Sequence, residues 1–149
     1  MMDKNKILAL GSDHAGYLLK KFLIENLVNN GYQVKDYGTF SEESVDYPDF
    51  AHLVAHSVNE GVYDRGILIC GTGNGVNITA NKYPKVRSAL CWNEEIAKFA
   101  RLHNDANILA LPARFIDFNV ALNVMNIFLT TGFEGGRHQR RIEKIAKIL

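Results

Sequence analysis

The stretch Ile67-Leu68-Ile69-Cys70-Gly71-Thr72-Gly73-Asn74-Gly75-Val76-Asn77 sets the fold. A short, uninterrupted apolar run bounded by turn residues reads as a buried strand. Three alternating glycines free the backbone for conformations that a Cβ would block. The run that follows, over 76–82, fits a short helix. Strand, glycine turn and helix in that order are one repeating unit of a parallel sheet. Cys70 stands where the strand stops and the turn starts. It is either a buried filler, as most strand cysteines are, or a group that acts on whatever the turn holds.

The same alternation extends in both directions. Upstream, 7–10 reads as a strand ending at Gly11. A helix over 16–30 follows, with Leu19, Phe22, Leu23 and Leu27 on one face and Gly31 as its stop. A second strand is predicted over 33–37. Phe50, Leu53, Val54 and Val58 then mark a helical stripe that Gly61 closes. The strand of the quoted stretch spans 66–69. Downstream come a strand over 87–91, a helix over 94–102, a strand over 108–111, a helix over 118–129 and a last helix from Arg137. No repeat, low-complexity tract or Pro/Gly-rich linker divides the chain. The expectation is a single α/β domain over 1–149, doubly wound and Rossmann-like. Its mostly parallel five-stranded sheet would carry helices on both faces.

Composition narrows the function classes. A net charge of +1 on 149 residues gives no global reason to bind nucleic acid or membranes. Two cysteines, Cys70 and Cys91, form no disulfide framework and suit a reducing compartment. The Met1-Met2-Asp3-Lys4-Asn5-Lys6 start leads into only a short apolar run, so no signal peptide is expected, and no run reaches membrane-spanning length. The expected location is the cytoplasm.

Doubly wound sheets bind ligands at the C-terminal ends of their strands. Cys70 with the glycine turn, and Asp13-His14 after the first strand, both fall there. A glycine turn leading into a helix presents free N–H groups to an anion or oxyanion. It is not a dinucleotide fingerprint, because Val76 occupies the place of the third glycine. The acidic residue expected ~20 positions on is replaced by Cys91-Trp92-Asn93. No Lys-Ser or Lys-Thr follows to make a P-loop. The bland reading is a tight strand-to-helix turn.

Asp13 and His14 can bind sugar hydroxyls or a phosphate, or Asp13 can cap the next helix. His103 is suited to proton transfer, or to a helix C-terminus that favours it electrostatically. Arg137 and Arg141, four apart, can fork around one phosphate, or form a solvated basic face. Ile142, Ile145 and Leu149 make an adjacent apolar stripe able to anchor that helix. No aromatics interleave with these arginines to stack bases. His52 and His56 lie opposite the stripe of their helix and face water. No Glu stands at position 53 to complete a zincin motif, so metal binding is not expected there.

Taken in order, several motifs resemble one family over essentially the whole chain. They are Gly11-Ser12-Asp13-His14-Ala15-Gly16, Asp46-Tyr47-Pro48, Cys70-Gly71-Thr72-Gly73-Asn74-Gly75, Ala80-Asn81-Lys82, His103-Asn104-Asp105 and Gly135-Gly136-Arg137-His138-Gln139. The family is that of the B-type ribose-5-phosphate isomerases, shared with galactose-6-phosphate isomerase subunits. The resemblance implies an aldose–ketose isomerase needing no metal or organic cofactor. It implies that Cys70 is the general base, that Thr72 assists, and that His103 donates a proton in ring opening. It places Asp13, His14, Tyr47, Gly71, Thr72, Gly73, Asn74, Gly75, Asn104, Arg114, Arg137 and Arg141 around the substrate. Some members carry a glutamate just after the glycine turn. Val76 stands there, so the chain is similar to the cysteine-type branch. Glycine is more usual at the position of Pro112, two residues before Arg114. The alternatives are an isomerase of galactose or allose 6-phosphate, and a non-catalytic sugar-phosphate-binding module.

Topology adds one expectation. Cys70 belongs to the C-terminal edge of the sheet, whereas His103 belongs to a connection entering the fifth strand at the N-terminal edge. Two such residues meet across one substrate only if they come from different subunits. A homodimer with two shared sites, or a higher oligomer built from it, is therefore expected.

Overall fold

The computed structural model describes residues 2–148. The elements run β1 (Ile7–Ser12), α1 (Tyr17–Asn29), β2 (Gln33–Asp36), α2 (Tyr47–Asn59), β3 (Arg65–Cys70), α3 (Asn74–Ala80), β4 (Ser88–Leu90), α4 (Glu94–Asn104), β5 (Ile108–Pro112), α5 (Phe118–Thr130) and α6 (Arg137–Ile142). All five strands lie in one sheet of order β2-β1-β3-β5-β4, and every pairing is parallel. The strand order reverses between β1 and β3, which opens a crevice at their C-terminal ends.

Side chains alternate across the strands, and the two faces differ. Leu8, Leu10, Ile67, Ile69, Leu109 and Leu111 pack under α1, α4 and α5 with Leu23, Phe128 and Leu129. Ala9, Leu68, Cys70, Ile108 and Ala110 pack under α2 and α3 with Val54, Val58 and Val76. Helices therefore cover both faces, as the alternation predicted. β3 is buried along its whole length, including Arg65 at its start. The Arg65 guanidinium donates to the carbonyls of Phe128 (2.9 Å) and Leu129 (3.1 Å) at the end of α5.

Two stripes depart from the sequence reading. α2 buries Ala51, Val54, Ala55 and Val58, while Leu53 points outward. Small residues were the true inward face because α2 lies unusually close to the sheet. A Cβ on Gly66 would lie 2.6 Å from Val54 Cγ1, and one on Gly11 would lie 3.0 Å from Val54 Cγ2. His52 and His56 face solvent, and His52 Nδ1 is 2.8 Å from the Tyr83 hydroxyl. The stripe proposed for the last helix does not anchor it either. α6 ends at Ile142, Ile145 is 61% exposed, and Leu149 lies outside the described residues. The side chain that α6 buries is His138.

Candidate active site

Three adjacent strands end side by side, and each delivers part of one cluster. β1 releases Asp13 and His14, β3 releases Cys70 and the glycine turn, and β5 releases Arg114. Cys70 stands opposite Pro112 in register, and pairing continues beyond the proline. The amide of Ala113 donates to the Cys70 carbonyl (2.9 Å), and that of Arg114 donates to the Gly71 carbonyl (3.0 Å). Pro112 therefore leaves Arg114 beside the turn. A Cβ on Gly71 would lie 3.2 Å from Arg114 Nη1, so the missing side chain makes room for the guanidinium.

The turn itself is shaped by what surrounds it. Gly73 has φ +75°, a left-handed conformation, and a Cβ there would meet Leu90 Cδ1 at 2.4 Å. Gly75 lies beneath the ring of Tyr47, the first residue of α2, whose Cζ would be 2.6 Å from a Cβ. Thr72 Oγ1 accepts from the Asn74 amide (3.2 Å). Among the described residues no hydrogen bond uses the amides of Gly71, Thr72 or Gly73. Those N–H groups are the donors an oxyanion cradle needs.

Cys70 is 4% exposed at the floor of this cradle. Cys91 has the opposite character. It is fully buried, its Sγ donates to the Ala89 carbonyl (3.6 Å), and burial pushes its thiol up to about 12. That keeps it an inert core residue. Asp13 is buried and closes the β1–α1 turn, with Oδ1 accepting from the Gly16 amide at 3.1 Å. His14 Nδ1 accepts from the Val45 amide (3.2 Å), so the neutral ring carries its proton on Nε2.

The remaining predicted residues lie elsewhere. His103 and Asn104 end α4 and Asp105 follows, three residues before β5 begins, so they belong to the N-terminal edge of the sheet. α6 packs there too, which brings Arg137 and Arg141 to the same edge as exposed side chains. β3 alone is six residues long and separates the two edges by roughly 17 Å. Within one chain, His103 is not a neighbour of Cys70.

The second group has features that sequence reasoning missed. His103 stacks face to face on His138, with ring centroids 4.2 Å apart and planes 10° from parallel. Glu134 Oε2 lies 3.6 Å from His103 Nε2 and 3.7 Å from His138 Nε2. Asp105, at φ +44°, caps α4 and is held from two sides. Arg87 donates to the carbonyls of Asn104 (2.9 Å) and Asp105 (3.0 Å), and Arg101 Nη1 lies 2.9 Å from Asp105 Oδ1. These arginines fix the corner that carries His103 and Asn104. The quoted motifs held His103, Asp105 and His138, but nothing in their spacing joined them, and His138 sat in a run that reads as basic surface.

Residues 8–145 match the profile of a family described as Ribose/Galactose Isomerase. Ribose-5-phosphate isomerase B of Escherichia coli is 43% identical over 143 residues, covering 96% of each chain. The solved ribose-5-phosphate isomerase B of Clostridium thermocellum is 49% identical, with a TM-score of 0.93 over 94% of this chain and 95% of its own. That of Mycoplasma genitalium, solved with bound ribulose-5-phosphate, is 45% identical, with a TM-score of 0.90 over 94% and 93%. Strand order, the thiol next to its glycine turn and these likenesses agree: the chain belongs to the ribose/galactose isomerase family.

Proposed function

We propose that the protein interconverts ribose 5-phosphate and ribulose 5-phosphate through an enediolate, with Cys70 as general base. The observation that carries this reading is a near-buried thiol beside backbone amides that have no acceptor among the described residues. A module that only bound a sugar phosphate would need the amides but not the thiol. The relative with ribulose-5-phosphate bound supports the pentose over a hexose phosphate.

The chemistry divides into opening the ring and moving a proton. His103 donates a proton to the ring oxygen as its bond to C1 breaks, and loss of the O1 proton leaves the open aldehyde. The Cys70 thiolate then takes the proton from C2. The electron pair moves to O1, giving an enediolate whose oxyanion faces the amides of the 71–75 turn. Returning the proton to C1 while the proton of O2 passes to O1 completes the ketose. Thr72 assists the thiol. Asp13, His14, Tyr47, Asn74 and Asn104 line the sugar, while Arg114, Arg137 and Arg141 hold the phosphate. That remote binding energy fixes C1 and C2 against the thiol.

Because the two groups occupy opposite edges, His103 of one chain serves the Cys70 of another in a homodimer with two shared sites. The deciding assay follows pentose phosphate turnover with excess chelator present. Turnover of hexose 6-phosphates alone would transfer the reading to another isomerase, and binding without turnover to a binding module. Co-expression of Cys70→Ala with His103→Ala tests the sharing. Random pairing makes about half the dimers mixed with one intact site each, so activity should recover to about a quarter of the parent protein's. Purified mixed dimers as inactive as either parent would put both residues in one chain.

A further inference from the structure

The structure assigns to Arg101 a positioning role: it sets the spacing between His103 and the arginine pair Arg137 and Arg141. This rests on the reading proposed above, in which all three act on one substrate. The ring oxygen that His103 protonates and the phosphate that the arginines hold belong to the same small molecule. Two parts of the chain must therefore be kept at one fixed separation. His103 sits on the corner that leads from α4 into β5, whereas Arg137 and Arg141 sit on α6, reached through the run 131–136.

Arg101 reaches both parts. It is buried in the last turn of α4, two residues before His103. On the corner side, Nη1 lies 2.9 Å from Asp105 Oδ1 and donates to the Ala106 carbonyl. On the other side, Nε donates to the carbonyl of Thr131 (3.2 Å), the residue that ends α5 and begins the run to α6. The run is tied again one residue along α4, where the Glu134 amide donates to the Leu102 carbonyl (3.0 Å). Gly135 and Gly136 follow, each with open space where a Cβ would stand, so neither fixes α6 by packing.

A neighbouring arginine shows what a guanidinium does here when its role is structural alone. The Cζ atoms of Arg65 and Arg101 lie 5.8 Å and 5.7 Å from the centre of the same Phe128 ring. Arg65 donates to the carbonyls of Phe128 and Leu129, both inside α5, and so caps the free carbonyls of a helix end. Burial, with the charge of Arg101 adding to it, lowers Arg65 to about 10. Burial lowers Arg101 as well, and Asp105 opposes that. Two buried cations on one ring carry a desolvation penalty, and Arg65 already caps α5. The second cation is explained by the separate segments it joins, which a planar fork bonds at once and a point-like ammonium cannot.

The test compares Arg101→Lys with Arg65→Lys in the full-length protein. Both replace a buried fork by a point charge, and both should lower Tm. Only Arg101→Lys should lower kcat/KM, by about 10–100-fold, because a misplacement of about 1 Å remote from the chemistry has effects of that size. The loss should divide into a lower kcat, through His103, and a higher KM, through the phosphate. Arg65→Lys should keep both constants near those of the parent protein. Without substrate, the NMR resonances of the His103 ring and of Arg137 and Arg141 Nε should shift in Arg101→Lys and stay in place in Arg65→Lys. Equal kinetic losses in the two variants, or unshifted resonances in folded Arg101→Lys, overturn the role. If Arg101→Lys does not fold by circular dichroism, Asp105→Asn carries the test, since asparagine tolerates the left-handed cap but lacks the charge that Arg101 holds. It should lower kcat and shift the His103 resonances while those of Arg137 and Arg141 stay in place; an unmoved His103 with parental kcat overturns the role. A parent protein that turns over no pentose phosphate removes the isomerase reading instead, and the resonances then decide the positioning role by themselves.

Discussion

In the function proposed above, the two edges of the sheet carry two kinds of half-site. At the C-terminal edge the parts are mostly backbone: amides with no partner among the described residues, a left-handed Gly73 and glycines that admit Tyr47 and Arg114, with one near-buried thiol beside them. At the N-terminal edge the parts are side chains at helix ends, exposed and mostly cationic, resting on a pair of stacked histidines. A site made of backbone cannot be altered without altering the fold. One made of exposed side chains can be edited residue by residue. The first suits a transition state whose oxyanion must be met within tenths of an ångström. The second, with Arg114 reaching in from the first, suits a phosphate, a compact charge that tolerates looser placement.

The largest expected effect tests whether the chemistry resides at the first edge. Cys70→Ala should lower kcat by about 10²–10⁴-fold with little change in KM, because general-base catalysis is worth that much. Near-normal kcat would reduce the thiol to packing. Arg141→Ala, at the second edge, should raise KM about 10–100-fold through loss of a charged hydrogen bond to phosphate. It should leave the melting temperature alone; a fall in kcat with constant KM would assign Arg141 to the chemistry.

Gly73→Ala sharpens the contrast from the other side. The left-handed φ and the 2.4 Å approach to Leu90 should cost about 1–3 kcal/mol of stability, seen as a lower Tm, together with loss of activity. A variant of full stability would mean that the cradle is separable from the fold.

The smallest effect concerns His138. Its folded ring titrates below the ordinary value near 6.5, mainly through burial, with His103 and Arg137 pushing the same way and Glu134 opposing them. The unfolded chain therefore takes up this proton first as pH falls. The stability contribution is intact above about 6.5 and lost as pH drops through that value toward the folded one. With chelator present, Tm should fall more between pH 7.5 and 5.5 for the parent protein than for His138→Gln. Equal slopes would mean that the stacked pair carries no burial penalty.

The same contrast explains how much could be read beforehand. The C-terminal edge was legible because an apolar run, three glycines and a cysteine are local and adjacent. The fold was legible because strands and helices alternate with clear punctuation. α2 was misjudged at Leu53 since periodicity weights large side chains, and here alanines face the sheet where Gly11 and Gly66 let it approach. At the N-terminal edge the partners are far apart in the chain. Arg87 reaches 17 residues on to Asn104, and His138 stacks on His103 from another helix. Only topology could say that this edge was separate, and no spacing rule could say that Glu134 lies within 3.7 Å of the Nε2 atoms of both rings.

The strand order has a consequence for how the chain is made. β4 pairs with β5 alone, and β5 lies between β3 and β4. A chain emerging from the ribosome can assemble β2-β1-β3 from local pieces. It then holds β4 without a mate and β3 with an open edge until β5 arrives. Sheet closure thus waits on a late, non-local insertion, the kind of contact that slows folding. In that interval the bare edge of β3, apolar from Ile67 to Cys70, invites pairing with other chains. The glycine turn that follows β3 emerges before the β5 backbone that steadies it. The site's first half therefore takes its final shape only after nearly three-quarters of the protein has been synthesised.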